Sequence, residues 1–139
     1  MARFVALVKA SPESEGGAMP STEELAEMTR YNEELVKSGV MLAGEGLHPS
    51  TKGVRINYGG STPTVTDGPF AETKELVAGF WIIQARDLAE AVEWLKRAPF
   101  QDGEVEIRQV FEEEDFGDEF TPELRQAEQR IREQAAQNQ

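Results

Sequence analysis

The stretch "GFWIIQARDLAEAVEWL", residues 79–95, sets a strand directly before a helix. Residues 79–85 are a short apolar block, as expected of a strand buried in a sheet. Asp87 followed three places later by Glu90 fits a helix capping box. Leu88, Ala91, Val92 and Leu95 then recur at helical spacing, and Pro99 lies just beyond the expected helix end. "EVEIRQVFE", 104–112, alternates as a final strand with Val105, Ile107 and Gln109 on one face. This half of the chain reads β-α-β.

The earlier half repeats the order. "RFVALVK", 3–9, is a nearly continuous apolar strand. "ASPESEGGAMP", 10–20, reads as a loop long enough to be a mobile flap. Ser21 and Glu24 make a capping box, Leu25, Met28, Tyr31 or Asn32, Leu35 and Val36 keep helical spacing, and Gly39 is placed to end the helix. "VMLAGEG", 40–46, is the second strand. Between the halves, "GVRINY" and "TPTVTD" flank Gly59-Gly60-Ser61 as a short polar hairpin over 53–67, expected to be exposed or at an edge. The order β-α-β, hairpin, β-α-β predicts an α+β, ferredoxin-like subunit, an antiparallel sheet with both helices on one face. The other face would be left apolar and open, so a homodimer is expected.

Composition narrows the function classes. A chain of 139 residues can bury an adequate core as one domain. There is no cysteine, which removes disulfides and thiolate metal sites. No apolar run reaches the roughly 20 residues of a membrane span, and "MARFVALVKA" reads as a strand rather than a leader. No membrane partner is expected, and cytoplasmic location is the default. A net charge of −12 argues against nucleic acid. Residues 112–139 hold nine acidic and three basic residues, half of that net charge, and read as an appendage to a domain spanning 1–111. Thr121-Pro122-Glu123 opens a helix there, with Leu124, Ala127, Ile131 and Ala135 as a narrow stripe. That stripe is expected to pack on the body or on a partner subunit, with Phe116 and Phe120 as anchors.

Three separated motifs, "GEGLHPS" at 44–50, "TVTDGPFAETKE" at 64–75 and "GFWII" at 79–83, together resemble the YCII-related family, specifically its DGPF-domain branch. The resemblance covers residues 3–111 and implies a dimeric α/β barrel of ferredoxin-like subunits with a pocket between sheet and helices. It also implies a His/Asp pair in that pocket, as proposed for related proteins, one of which is a dehydrochlorinase acting on a chlorinated hydroxyquinol. An association with extracytoplasmic-function sigma factors is implied as well, which points to a regulatory role instead.

The candidate residues each carry two readings. Asp67-Gly68-Pro69 is a self-sufficient turn, or a turn that aims the Asp67 carboxylate into a pocket as a base. His48 is the only histidine, so imidazole acid/base chemistry near neutral pH must use it; otherwise it is an exposed loop residue. If the hairpin turns at Gly60, Asp67 returns near Val54, and a bend at Pro49 would bring His48 toward it. Glu45, between two glycines, is a pocket carboxylate or a solvated strand end. Lys74 is an anion-binding group or half of a solvated pair with Glu72. Arg55 binds a carboxylate or lies on the hairpin surface. Phe80 and Trp81 face opposite ways, so one is core and the other, taken as Trp81, lines a pocket or dimer contact. Tyr31 reaches the pocket by its hydroxyl or packs on the helix face. No metal-binding spacing and no nucleotide fingerprint occurs, so no cofactor is expected. Two functions fit: a small-molecule pocket protein doing proton-transfer chemistry such as elimination or isomerisation, and a non-catalytic interaction module working with a sigma factor.

Overall fold

The computed structural model describes every residue, Met1–Gln139, in two compact units, Met1–Gln109 and Val110–Gln139. The first unit runs β1 (Ala2–Lys9), α1 (Pro12–Glu15), α2 (Thr22–Lys37), β2 (Met41–Gly46), β3 (Val54–Asn57), β4 (Thr64–Asp67), β5 (Val77–Ala85), α3 (Leu88–Leu95) and β6 (Val105–Gln109). The main sheet is antiparallel with order β2-β5-β1-β6, while β3 and β4 form a separate two-stranded ribbon. Two β-α-β units interleaved in this way make a mixed α+β fold of the expected ferredoxin-like order.

Strand alternation decides what is buried. Phe4 and Ala6 of β1 lie opposite Ile83 and Trp81 of β5, and all four are buried. Tyr31 and Leu35 of α2 and Ala91 and Leu95 of α3 close over them, so both long helices share one face. The alternate residues Val5, Leu7, Phe80 and Ile82 point the other way and are half-buried. The face of α2 that is buried is narrower than its apolar pattern suggests, because Leu25 and Val36 stay exposed while Tyr31 rather than Asn32 enters the core.

The helix ends follow local chemistry. Ser21 Oγ accepts from the Glu24 amide, and the Glu24 carboxylate accepts from the Ser21 amide, completing the box. At the other end, Gly39 takes φ +73°, its amide donates to the Val36 carbonyl, and the Val40 amide donates to the Leu35 carbonyl. This Schellman arrangement needs a left-handed residue and explains the glycine. The expected box at α3 forms only by half. Asp87 accepts from the Glu90 amide, but Glu90 turns back to the amide and guanidinium of Arg86 instead of the Asp87 amide. The presumed flap at 10–20 is also partly ordered by local bonds: Ser11 and Ser14 cap each other around α1.

The second unit contains a 3-10 segment, Glu113–Glu119, and α4, Pro122–Ala136, capped by the Thr121 hydroxyl with proline in the first turn. The stripe on α4 is open, with Leu124 and Ile131 exposed.

Tyr31 joins α2 to α3 by donating its hydroxyl to the Trp94 carbonyl at 2.7 Å. Burial first, and then the nearby Glu34 carboxylate, pushes its phenol up to about 12, while Arg97 pulls weakly the other way. An unfolded tyrosine ionises near pH 10, so this contribution is whole below pH 10 and disappears as pH rises through about 12. Tyr31→Phe should cost about 0.5–1.5 kcal/mol below pH 10 in urea unfolding, and the gap to wild type should close at higher pH.

Candidate functional site

Two of the three motif segments, 44–50 and 64–75, meet at Ser50, the first residue of a 3-10 turn, Ser50–Lys52, that follows β2. The Glu15 carboxylate, at the end of α1, accepts from the Ser50 amide at 3.0 Å and from its hydroxyl at 2.5 Å. The same hydroxyl oxygen accepts the Phe70 amide at 3.0 Å. Ser50 therefore ties α1 to the corner that follows β4. Hydrogen bonds to an ionised carboxylate are roughly twice as strong as neutral ones, so Glu15 is the firm end of this link.

The corner itself is built for close approach. The Gly68 amide donates to the Gly53 carbonyl at 2.9 Å, prolonging the ribbon ladder by one bond. A Cβ on Gly68 would stand 1.8 Å from the Ser50 carbonyl oxygen, so no other residue fits there without movement. The Gly68–Pro69 peptide is cis. Phe70 then turns back beneath β3, where the Arg55 guanidinium lies 3.9 Å over its ring. Contacts of this kind contribute about 0.5–1 kcal/mol at exposed sites.

Asp67 closes β4 opposite Val54, the position that a turn at Gly60 predicts. His48 precedes Ser50 by two residues. Both are exposed, neither is bonded to the other, and the side chain of each has no hydrogen-bond or ionic partner. Chain geometry through Ser50 and Gly68 limits their Cα separation to roughly 17 Å. Glu45 is exposed on β2, opposite Phe80. Lys74 is exposed and unpaired on the 3-10 turn Thr73–Glu75, and Glu72 precedes that turn. Arg55 is engaged with Phe70 as above.

Tyr31 and Trp81 are brought together, but inside the core. Their rings meet edge-on with centroids 5.7 Å apart, each residue is only 5% exposed, and each polar atom is satisfied. The Trp81 Nε1–H donates to Asn32 at 2.9 Å. Of the Phe80/Trp81 pair, it is Phe80 that faces away from the helices. A shallow groove of about 330 Å³ runs along α2, lined by Thr29, Asn32, Val36 and Met41 among others, and holds none of the candidate acid/base residues. No three His, Asp or Glu side chains stand close enough together to hold a metal ion.

Glu15 and Ser50 are the site residues that sequence reasoning passed over. Glu15 lies in a Ser/Gly/Pro-rich loop whose only signal is the Ser11-x-x-Ser14 spacing, and Ser50 ends a motif quoted for its histidine.

Comparison with known proteins adds the family. The YCII-related domain matches residues 2–114. The chain belongs to the YCII-related family. An uncharacterised protein of Rhizobium meliloti (strain 1021) is 30% identical to this YCII-related chain over 87 residues, 60% of this chain and 70% of that protein. Among solved structures, the 5-chloro-2-hydroxyhydroquinone dehydrochlorinase of Burkholderia phenoliruptrix AC1100, in complex with 2,5-dihydroxybenzoquinone, aligns over 78% of this chain and 93% of that one. The TM-score is 0.45 and the identity 16%.

Two substitutions check the Ser50 link. Ser50→Ala removes the hydroxyl that accepts the Phe70 amide and donates to Glu15, leaving Glu15 only the backbone amide of residue 50, and should cost about 1–3 kcal/mol. Gly68→Ala should cost a similar amount, about 1–3 kcal/mol, by overpacking. In both, amide exchange at Phe70 should accelerate relative to the β5 amides; unchanged protection at Phe70 would contradict the link.

Proposed function

We propose that this YCII-related protein, of the DGPF branch, is a small-molecule enzyme of proton-transfer chemistry, of the elimination or isomerisation type. Asp67 and His48 act as the acid/base pair, Glu45 supports them, and Lys74 attracts an anionic substrate. The observation that carries this reading is the pinning of the backbone on both sides: Ser50 holds the segment after His48 and the corner after Asp67 in one place. A fixed backbone bearing an unpartnered imidazole and an unpartnered carboxylate is what general acid/base catalysis requires, since neither group must first break a bond. Imidazole is the side chain that exchanges protons near neutral pH, and the carboxylate is the complementary acceptor.

We further propose that the working form is a homodimer of α/β-barrel type, in which a second copy covers Val5, Leu7, Phe80 and Ile82. Four half-buried apolar side chains on one sheet face are better removed from water than left against it.

A carbon-acid exchange assay tests the catalytic reading without a known substrate. Small hydroxylated ring acids and 2-oxo acids are incubated with the protein in deuterium oxide, and deuterium gain at carbon is followed by NMR. Wild type should exchange at least one of them, and His48→Ala and Asp67→Ala should each lower that rate by about 10²–10⁴. Exchange at wild-type rate in both variants would end the assignment. Separately, Leu7→Glu should convert a species sedimenting at twice the chain mass into a monomer.

A further inference from the structure

Residues 111–120, "FEEEDFGDEF", carry six acidic side chains, three phenylalanines and no basic residue. The rings are not scattered. Phe111 and Phe116 lie with centroids 5.1 Å apart, and Phe116 and Phe120 with centroids 5.6 Å apart, forming a continuous ridge. Phe111 is 69% exposed and Phe116 48% exposed, so the ridge presents apolar rings to water.

Local bonds hold the ridge in shape. The Glu112 amide donates to Asp115 at 2.8 Å, which starts the 3-10 segment and spaces Phe111 from Phe116. Gly117, at φ +64°, then kinks the chain and brings Phe120 back beside Phe116. Arg125 of α4 fastens the far end, donating Nε–H to the Phe120 carbonyl at 3.0 Å and Nη1 to Glu113 at 3.3 Å. Glu114, Asp118 and Glu119 remain exposed around the rings.

We propose that this aromatic ridge docks a protein partner whose surface combines an apolar pocket with a lysine- or arginine-rich rim. The rings would enter the pocket, and Glu114, Asp118 and Glu119 would face the rim, the usual division between an apolar interface core and a polar margin. Charge excludes the other occupants. Nucleic acid and anionic membranes are repelled by an acidic rim, and the same ridge of a second copy would set like charges against each other. Because the rings are already stacked and clamped, little side-chain entropy remains to be lost on binding. The inference goes beyond the proposed activity, since none of its residues belongs to that site.

The test uses the full chain and a fluorescein-labelled amphipathic helical peptide with leucines on one face and arginines and lysines on the other. A second peptide keeps the basic residues and replaces leucine by glutamine. Wild type should bind the first peptide about tenfold more tightly than Phe111→Ala/Phe116→Ala does, at low and at physiological salt. Glu114→Gln/Asp118→Asn/Glu119→Gln keeps every ring and the Arg125 clamp. It should weaken the same peptide by about threefold to tenfold at low salt, and less at high salt. Circular dichroism checks that α4 survives in each variant; if the ring variant loses helix, the charge variant alone decides. Equal binding of the first peptide by wild type and the decisive variant would overturn the proposal. So would equal affinity of wild type for both peptides, or a dimer in sedimentation that dissociates when Phe111 and Phe116 are replaced.

Discussion

The pairing of β1 with β5 is the constraint on which the first unit depends. These are the two central strands, and their register sets Ala6 opposite Trp81 and Phe4 opposite Ile83. Side chains alternate along a strand, so a slip of one residue would turn Phe4 and Ala6 to the open face and bring Val5 and Leu7 under the helices. Trp81 then shapes its surroundings. A Cβ on Gly44 would stand 2.8 Å from the indole, so β2 can lie beside this part of β5 only with glycine there. Asn32 takes the indole N–H and Tyr31 meets the ring edge-on, which locks α2 against the sheet. An edge-on aromatic pair contributes about 0.5–1.5 kcal/mol beyond the area it buries.

From that frame the position of the candidate site follows by short steps. β2 leads into the Ser50 turn, and the ribbon returns the chain to Gly68, whose amide joins the Gly53 carbonyl. A two-stranded ribbon by itself is marginally stable in water. All eight of its strand residues are exposed, so its root needs other support. Ser50 and Glu15 supply it by hydrogen bonds, and Arg55 covers Phe70 from the ribbon side. Thus Glu15 of α1, which takes no part in the proposed proton transfer, anchors the backbone between His48 and Asp67.

Electrostatics divide the molecule into regions of different use. On the open sheet face, Lys9 and Arg108 flank Glu106 and hold its carboxyl below the usual range, the Lys9 hydrogen bond contributing most. Each such pair is worth little by itself, and together they set alternating charge beside Val5 and Leu7. In residues 111–120 of the second unit the charge is all of one sign and the apolar groups are rings, so acidic groups and exposed aromatic surface stand side by side.

Most of the fold was legible because its signals are local. Short apolar runs marked the central strands and alternation the last one, the Ser21/Glu24 box and Gly39 marked the ends of α2, and Pro122 marked the start of α4; each of these acts within a turn or two of chain. The choice of Trp81 over Phe80 for the core was not legible, since adjacent strand positions are equivalent until helices cover one face. Nor was the missing half of the Asp87 box, where the arginine at 86 draws the Glu90 carboxylate away through charge. The corner at Asp67-Gly68-Pro69 was readable as a turn, but what anchors it was not. Its anchor bonds join residues 20 and 35 positions apart, and hydrogen bonds over such distances leave no periodic trace in a sequence. The amino-acid sequence by itself therefore determined the elements, their order and their caps. The tertiary structure alone decided which face of each strand is buried and which serine receives the corner, because both are settled by what chain closure brings into contact.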